Sequence, residues 1–156
     1  MKKLFEVTDS LIKHLVFIVL SIMLVSAFLQ VLYRYVIESS LTWTDELTRY
    51  LFIWLIFIGV AFSVRRNGHI AIESIFLFLK DHQKKNYKRI IYIIQILFFL
   101  FLSVIGFYFV FTNFGNVSPS LQVPMGFVYL ALPVGSLFSM IFLLEKLIYP
   151  EKGAEG

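Results

Sequence analysis

Four long stretches without a charged residue dominate this chain, at residues 15–33, 50–64, 90–112 and 127–144. An α-helix needs about 20 apolar residues to cross about 30 Å of hydrocarbon. The first and third stretches reach that length, and the second reaches it if its helix begins near Trp43. The pattern predicts an all-α integral membrane protein with four transmembrane helices.

We predict a single membrane domain over residues 1–156, with spans at about 15–34, 43–65, 89–112 and 126–145. The apolar segment at about 70–80 is too short to span, and basic residues flank it. It predicts a short amphipathic helix in the membrane interface. The alternative is a cytoplasmic extension of the second span.

The composition excludes several other classes of protein. The chain is 59% hydrophobic and 15% charged, with a mean hydropathy of +0.83. Soluble domains are about half apolar and a quarter charged. The first apolar stretch exceeds the ~7–15 residues of a signal-peptide core, so we expect a membrane anchor and not a cleaved signal peptide. The absence of cysteine excludes disulfides and thiol chemistry.

Lysine and arginine are distributed unevenly between the two sides of the predicted spans. Twelve of the fourteen lie in the N-terminal segment, the second loop and the C-terminal tail, and only Arg34 and Arg49 lie opposite. The positive-inside rule therefore predicts cytoplasmic N and C termini. The net charge of +4 reflects these loops and does not indicate a nucleic-acid binder. The charge-free third loop, with Pro119 and Pro124, is predicted to face outward as irregular backbone.

The spans lack the groups that membrane catalysis and ion transport use. No Asp, Glu, Lys, Arg or His lies near the middle of any span, and His14, His69 and His82 lie at span ends or in a loop. Intramembrane charges usually mark ion or substrate paths. We therefore predict neither an enzyme nor a self-sufficient pump, and we predict no cofactor and no metal.

Small residues recur every fourth position on two of the spans. Ala131, Gly135 and Ser139 form one series, and Gly59 and Ser63 form another. In lipid, such series allow close helix packing, although they also arise by chance in apolar helices. Pro133 is predicted to bend the fourth span.

The most informative stretch begins the second span. Thr42 and Asp45 have the spacing of an N-terminal capping pattern, and Asp45 and Glu46 suit the positive end of the helix dipole. Arg49 follows these acids by four and three residues, so it can pair with either. Trp43 is placed as an interfacial aromatic residue. These residues indicate ordinary helix-end chemistry or a contact surface for a partner.

This stretch resembles the small membrane subunit of tripartite ATP-independent periplasmic (TRAP) transporters. The shared pattern is a Trp, a Ser or Thr and two acids, then Leu, Arg and an aromatic residue, a Gly-x-Ala, and an Arg before His-Ile. Here it reads Trp43, Thr44, Asp45, Glu46, Leu47, Arg49, Trp54, Gly59, Ala61, Arg65, His69 and Ile70. Asp45 departs from the pattern, in which Glu is more usual. Length and the four-span plan extend the resemblance over nearly the whole chain.

The resemblance implies a non-catalytic scaffold in the bacterial inner membrane. It implies pairing with a large elevator-type membrane subunit for sodium-coupled uptake of an organic anion, of sialic acid or C4-dicarboxylate type. A periplasmic binding protein would deliver that anion and dock transiently. We expect partner-subunit contacts from a set spread along the second span: Trp43, Asp45, Glu46, Arg49, Trp54, Gly59 and Ser63. We expect inner-face contacts with membrane lipids or a subunit from Arg65, Arg66 and His69.

Two other functions remain open from the residues alone. One is a freestanding transporter or channel that forms homo-oligomers, since polar spans can line a pore without charge. The other is an accessory subunit of a different membrane complex. In the TRAP interpretation, substrate specificity is expected in the binding protein and the large subunit.

Overall fold

In a computed structural model, which describes residues 2–39, 41–66 and 81–148, most of the described residues are helical. The helices are α1 (Lys2–Tyr35), α2 (Thr42–Arg65), α3 (Asp81–Asn113), α4 (Met125–Tyr129) and α5 (Ala131–Ile148). Four segments are long and apolar enough to cross a membrane: Val7–Tyr35, Thr42–Arg65, Asn86–Asn113 and Met125–Ile148. The prediction of an all-α protein with four spans is confirmed. The predicted interfacial helix at 70–80 lies outside the described residues.

Two of the helices extend well beyond their apolar stretches. Helix α1 begins at Lys2 and α3 begins at Asp81, although the predicted spans begin at about 15 and 89. Lysine, glutamine and glutamate are good helix formers, so the backbone hydrogen bonds continue into these polar flanks. The apolar pattern therefore locates the membrane crossing and not the ends of the helix.

The helices pack in the order α1, α2, α5, α3. Helices α2 and α5 run in the same direction, because Gly135 near the start of α5 lies against Phe57 in the middle of α2, and Arg65 contacts Glu145 near the C-terminal ends of both. Helix α3 runs opposite to α5, since Gly106 approaches Pro133. We call the end with the charge-free loop the outer end, following the predicted topology.

Helix α5 lies between α2 and α3, and small residues allow it to approach both. Ala131, Gly135 and Ser139 are all buried. A Cβ on Gly135 would lie 2.6 Å from the carbonyl oxygen of Phe57 on α2, which is closer than real Cβ contacts. The small-residue series predicted on the fourth span is therefore a packing surface within the chain.

The fourth span is interrupted near its outer end. Helix α4 ends at Tyr129 and α5 begins at Ala131, with Leu130 between them. Pro133 has no backbone N–H and cannot donate to the carbonyl of Tyr129 one turn earlier. The interruption agrees with the bend predicted from Pro133.

The best-packed core draws on all four long helices. Its fully shielded residues include Ile12 on α1, Ala61 and Val64 on α2, and Phe142 and Leu143 on α5. On α2 and α5 these residues lie towards the C-terminal, inner ends. Most large side chains of α1 and α3 face outward, as expected for surfaces in contact with lipid or another membrane protein.

Candidate functional site

The start of α2 differs from the predicted capping pattern. Leu41 occupies the N-cap position without a side-chain cap, and Thr42 is already helical. The buried Thr44 hydroxyl instead donates to the Leu41 carbonyl at 2.7 Å. The prediction that Thr42 and Asp45 form a cap is wrong, because the side chain of Asp45 bonds elsewhere.

Glu46 turns into the protein and holds the loop between α3 and α4. Its Oε2 accepts backbone N–H bonds from Ser120 at 3.0 Å and Leu121 at 2.8 Å. Its Oε1 accepts the hydroxyl of Tyr50 at 2.8 Å. The side chain is only 8% exposed, so its charge is matched by donors within the chain.

The loop held by Glu46 is a compact hairpin at residues 116–124, which we call the outer hairpin. Val117 pairs with Pro124, and the Ser118 N–H donates to the Val123 carbonyl at 3.0 Å. Gln122 has a φ of 54°, a conformation uncommon outside glycine. The sequence predicted irregular backbone here, and the structure shows an ordered turn bound to α2.

Asp45 and Arg49 remain on the outside of α2. Asp45 accepts a hydrogen bond from the Gln30 side chain on α1. Arg49 is exposed and forms no ion pair with Asp45, with Glu46 or with any other residue that the structure describes. The i,i+3 and i,i+4 pairs allowed by the spacing do not form, because both acids bond to groups on other elements.

Trp54 is also directed into the chain. Its indole N–H donates to the carbonyl of Phe127 at 3.2 Å, close to the interruption between α4 and α5. Trp43, in the first turn of α2, is 40% exposed. Of the two tryptophans in the motif, Trp54 therefore joins α2 to the fourth span and Trp43 remains available at the outer end.

One outward face of α2 carries four of the predicted partner-contact residues. We call it the α2 stripe, and it consists of Asp45, Arg49, Phe52, Ile56, Gly59 and Ser63. Phe52 and Ile56 are 51% and 45% exposed, and Ser63 is exposed. A Cβ on Gly59 would meet nothing within 4 Å. The small-residue series on α2 thus faces away from the chain, unlike the series on α5.

A second polar cluster joins α2 and α5 at their inner ends. Arg65 forms an ion pair with Glu145, and its guanidinium lies 5.5 Å from the centre of the Phe142 ring. Lys146 donates to the carbonyl of Val64. Arg65, expected to contact lipid or a subunit, is therefore used within the chain.

The other two inner-face residues have different positions. Arg66 is exposed and lies over the Phe62 ring, with 5.0 Å from its guanidinium carbon to the ring centre. Its contact with lipid or a subunit stays a prediction. His69 lies outside the residues that the structure describes.

We expect Glu145→Ala to weaken the α2–α5 pair at its inner end. The substitution leaves the guanidinium of Arg65, which is 25% exposed, without its carboxylate. Hydrogen bonds to charged groups contribute about 1.5–3 kcal/mol each, so the melting temperature of the purified protein should fall. Arg66→Ala is the matched control, since its guanidinium is exposed. Equal melting temperatures for the two variants would contradict the assigned role of the Arg65–Glu145 pair.

The sequence did not indicate several residues that complete these clusters. Gln30, Ser120, Leu121 and Glu145 all bond to motif residues that are 15 to 80 positions away. Gln30 and Glu145 had one detectable signal, since each is a polar residue near the end of an apolar stretch. Ser120 and Leu121 act through backbone N–H groups, which carry no signal in the side chain.

A comparison with models of known protein families shows which family this chain belongs to. The model of the DctQ component of tripartite ATP-independent periplasmic transporters matches residues 23–152. The chain belongs to the DctQ family. The predicted resemblance to the small TRAP membrane subunit is confirmed, and this DctQ-family subunit is a multi-pass membrane protein.

Individual relatives agree with that membership. A Haemophilus influenzae protein, provisionally named a TRAP transporter small permease protein, is 28% identical over 149 residues, which are 95% of this chain and 92% of that protein. The ectoine TRAP transporter small permease protein TeaB of Halomonas elongata is 27% identical over 139 residues, covering 85% of this chain and 72% of TeaB. These relatives are named as permease subunits and not as enzymes.

A third relative is a much longer permease. The isethionate TRAP transporter permease protein DctMQ of Oleidesulfovibrio alaskensis is 28% identical over 130 residues, covering 76% of this chain but 20% of DctMQ. In that protein the DctQ-like segment is part of a larger permease polypeptide. The substrates named for relatives include isethionate, ectoine and C4-dicarboxylates, so the solute varies within the family.

Proposed function

We propose that this DctQ-family subunit is the static, non-catalytic part of a TRAP transporter in the bacterial inner membrane. It pairs with a large membrane subunit that carries the substrate and sodium sites, and a periplasmic binding protein delivers the solute. The observation that carries this proposal is the outward α2 stripe, where the motif residue Arg49 forms no ion pair with the described residues and a Cβ on the motif residue Gly59 would meet nothing within 4 Å. The DctMQ relative supports a permanent association of this kind.

The polar clusters at both ends of the α2–α5 pair support a static role. Glu46 ties α2 to the outer hairpin, and the Arg65–Glu145 pair ties α2 to α5 at the inner end. Elements that move in transport cycles have few such bonds to their neighbours. Because α2 is bonded to the outer hairpin near its outer end and to α5 at its inner end, we expect it to keep a fixed position relative to both.

The distribution of charge supports transport chemistry in another chain. The charged residues of α2 are Asp45, Glu46, Arg49 and Arg65, all within its first eight or last two residues. An ion or substrate path would place such groups at mid-depth. We therefore assign the solute and sodium sites to the large subunit. The choice among organic anions, such as a sialic acid or a C4-dicarboxylate, belongs to that subunit and the binding protein.

Gly59 and Ser63 provide the closest approach for a partner helix. Association of helices in lipid depends on packing, and small residues let two backbones come together. Phe52 and Ile56 extend the same face towards the outer end. Lipid tails would cover the apolar side chains of this face as well as a protein would. Gly59 and Ser63 are the residues that favour a partner helix over lipid.

We expect Gly59→Leu to prevent assembly while leaving this subunit folded. The new side chain enters open space in the isolated chain but occupies the position of the partner backbone. Co-purification of a tagged subunit with the large subunit should fall by about tenfold, since forcing extra methylenes into a packed contact costs about 1–3 kcal/mol. Solute uptake should fall in parallel.

Val104→Leu on α3 is the matched control, because Val104 is 63% exposed in another apolar surface. It should assemble and transport normally. Normal assembly by Gly59→Leu would remove the α2 stripe from the interface. Transport by the wild-type chain alone in liposomes would overturn the proposed function and favour the freestanding transporter.

A further inference from the structure

Arg49 is the one motif residue whose charge has no anion among the described residues. It is exposed on the α2 stripe, and the acids one turn before it are both engaged, Asp45 with Gln30 and Glu46 with the outer hairpin. The surroundings of Arg49 within the chain therefore do not stabilise its charge.

The position of Arg49 along α2 favours pairing with an external anion. It lies seven residues after Thr42, which is about 10 Å along the helix axis. A cation at this depth and facing outward must extend towards the headgroups or pair with an anion.

From these contacts we infer that Arg49 forms an ion pair with a carboxylate of the large membrane subunit. The inference rests on the proposed function and names the chemistry of the partner. A helix seated on Gly59 and Ser63 and running along the α2 stripe passes over Arg49 and displaces lipid there. An arginine fork matches a carboxylate in two parallel hydrogen bonds, so this contact fixes the position of the partner along α2.

The geometry specifies where that carboxylate lies. Arg49 and Gly59 are ten residues apart on one helix, or about 15 Å. The partner helix should carry an Asp or Glu about ten residues from the small residue that packs on Gly59. This spacing can be sought in the sequence of the large subunit before any variant is made.

The test is a charge exchange in the two-subunit complex. We expect Arg49→Glu to lower the amount of large subunit that co-purifies by about tenfold or more, as for other desolvated interface ion pairs. An Asp→Arg or Glu→Arg change at the matching position of the large subunit should restore assembly only with Arg49→Glu. Arg49→Lys should retain part of the assembly, since it keeps the charge without the fork.

The isolated subunit provides the folding control. Arg49→Glu breaks no contact within the described chain, so its melting temperature should equal that of the wild type. If wild-type subunits co-purify and Arg49→Glu does so equally, the ion pair is refuted while the proposed function stands. If Arg49→Glu instead loses bound phospholipid with assembly unchanged, the anion is a lipid phosphate and the inference is wrong. If wild-type subunits do not co-purify, the proposed function itself fails.

Discussion

Gly135→Ala should be among the most damaging single-methyl changes in the part of the chain that the structure describes. The added Cβ would lie 2.6 Å from the carbonyl oxygen of Phe57 and 2.8 Å from its Cβ. Both are atoms that move only with the helix, so α2 and α5 must separate. Overpacking of this kind costs about 1–3 kcal/mol, and we expect a clearly lowered melting temperature in detergent.

Gly59→Ala is a matched control for this prediction. It adds the same methyl group to a glycine of a spanning helix, but in open space. Alanine is the better helix former by about 1 kcal/mol, so the isolated protein should be as stable as the wild type or more so. Similar melting temperatures for the two variants would show that α2 and α5 do not pack through Gly135.

The second large effect is expected from Glu46→Ala. It removes the acceptor of two backbone N–H bonds in the outer hairpin and of the Tyr50 hydroxyl. With each hydrogen bond to a charged group worth a factor of ten or more, amide exchange at Ser120 and Leu121 should accelerate at least about tenfold. Hydrogen–deuterium exchange of the peptide that covers the hairpin measures this directly.

Asp45→Ala provides the comparison for Glu46. It removes the neighbouring acid, whose bond runs to Gln30 and not to the hairpin. Exchange in the hairpin should then remain at the wild-type rate. Glu46→Gln should give an intermediate rate, because an amide retains one acceptor oxygen but loses the charge. Slow exchange in Glu46→Ala would mean that the hairpin is held by its own hydrogen bonds.

The spans could be predicted from the sequence because lipid imposes a length and a composition on every crossing. The interruption at Leu130 could also be predicted, since Pro133 removes a specific backbone donor. The order of packing could not. Large apolar residues surround α1 and α3 almost completely, so their sequences do not distinguish the face that meets protein from the face that meets lipid. The series at Gly59 and at Gly135 look alike but face opposite ways.

The candidate site shows a similar division. The motif led to the correct family, but the bonds of its residues could not be predicted from their spacing. Spacing along α2 allowed Arg49 to pair with Asp45 or Glu46, yet it contained no information about competing donors elsewhere in the chain. Those donors are Gln30, which is 15 residues away, and the backbone of Ser120 and Leu121, more than 70 residues away. Donors that are distant in sequence can be identified only from the three-dimensional arrangement of the helices.

The position of α5 also constrains how the protein is made. Helix α3 packs on α4 and α5, and α2 packs on α5 although α3 separates them in the chain. During synthesis the α1–α2 hairpin and α3 therefore enter the bilayer as separate pieces with no extensive contact between them. They join only when α5, the last of the described helices, has left the ribosome and inserted. A chain truncated before Ala131 would leave those pieces apart in the lipid, as substrates for membrane proteases.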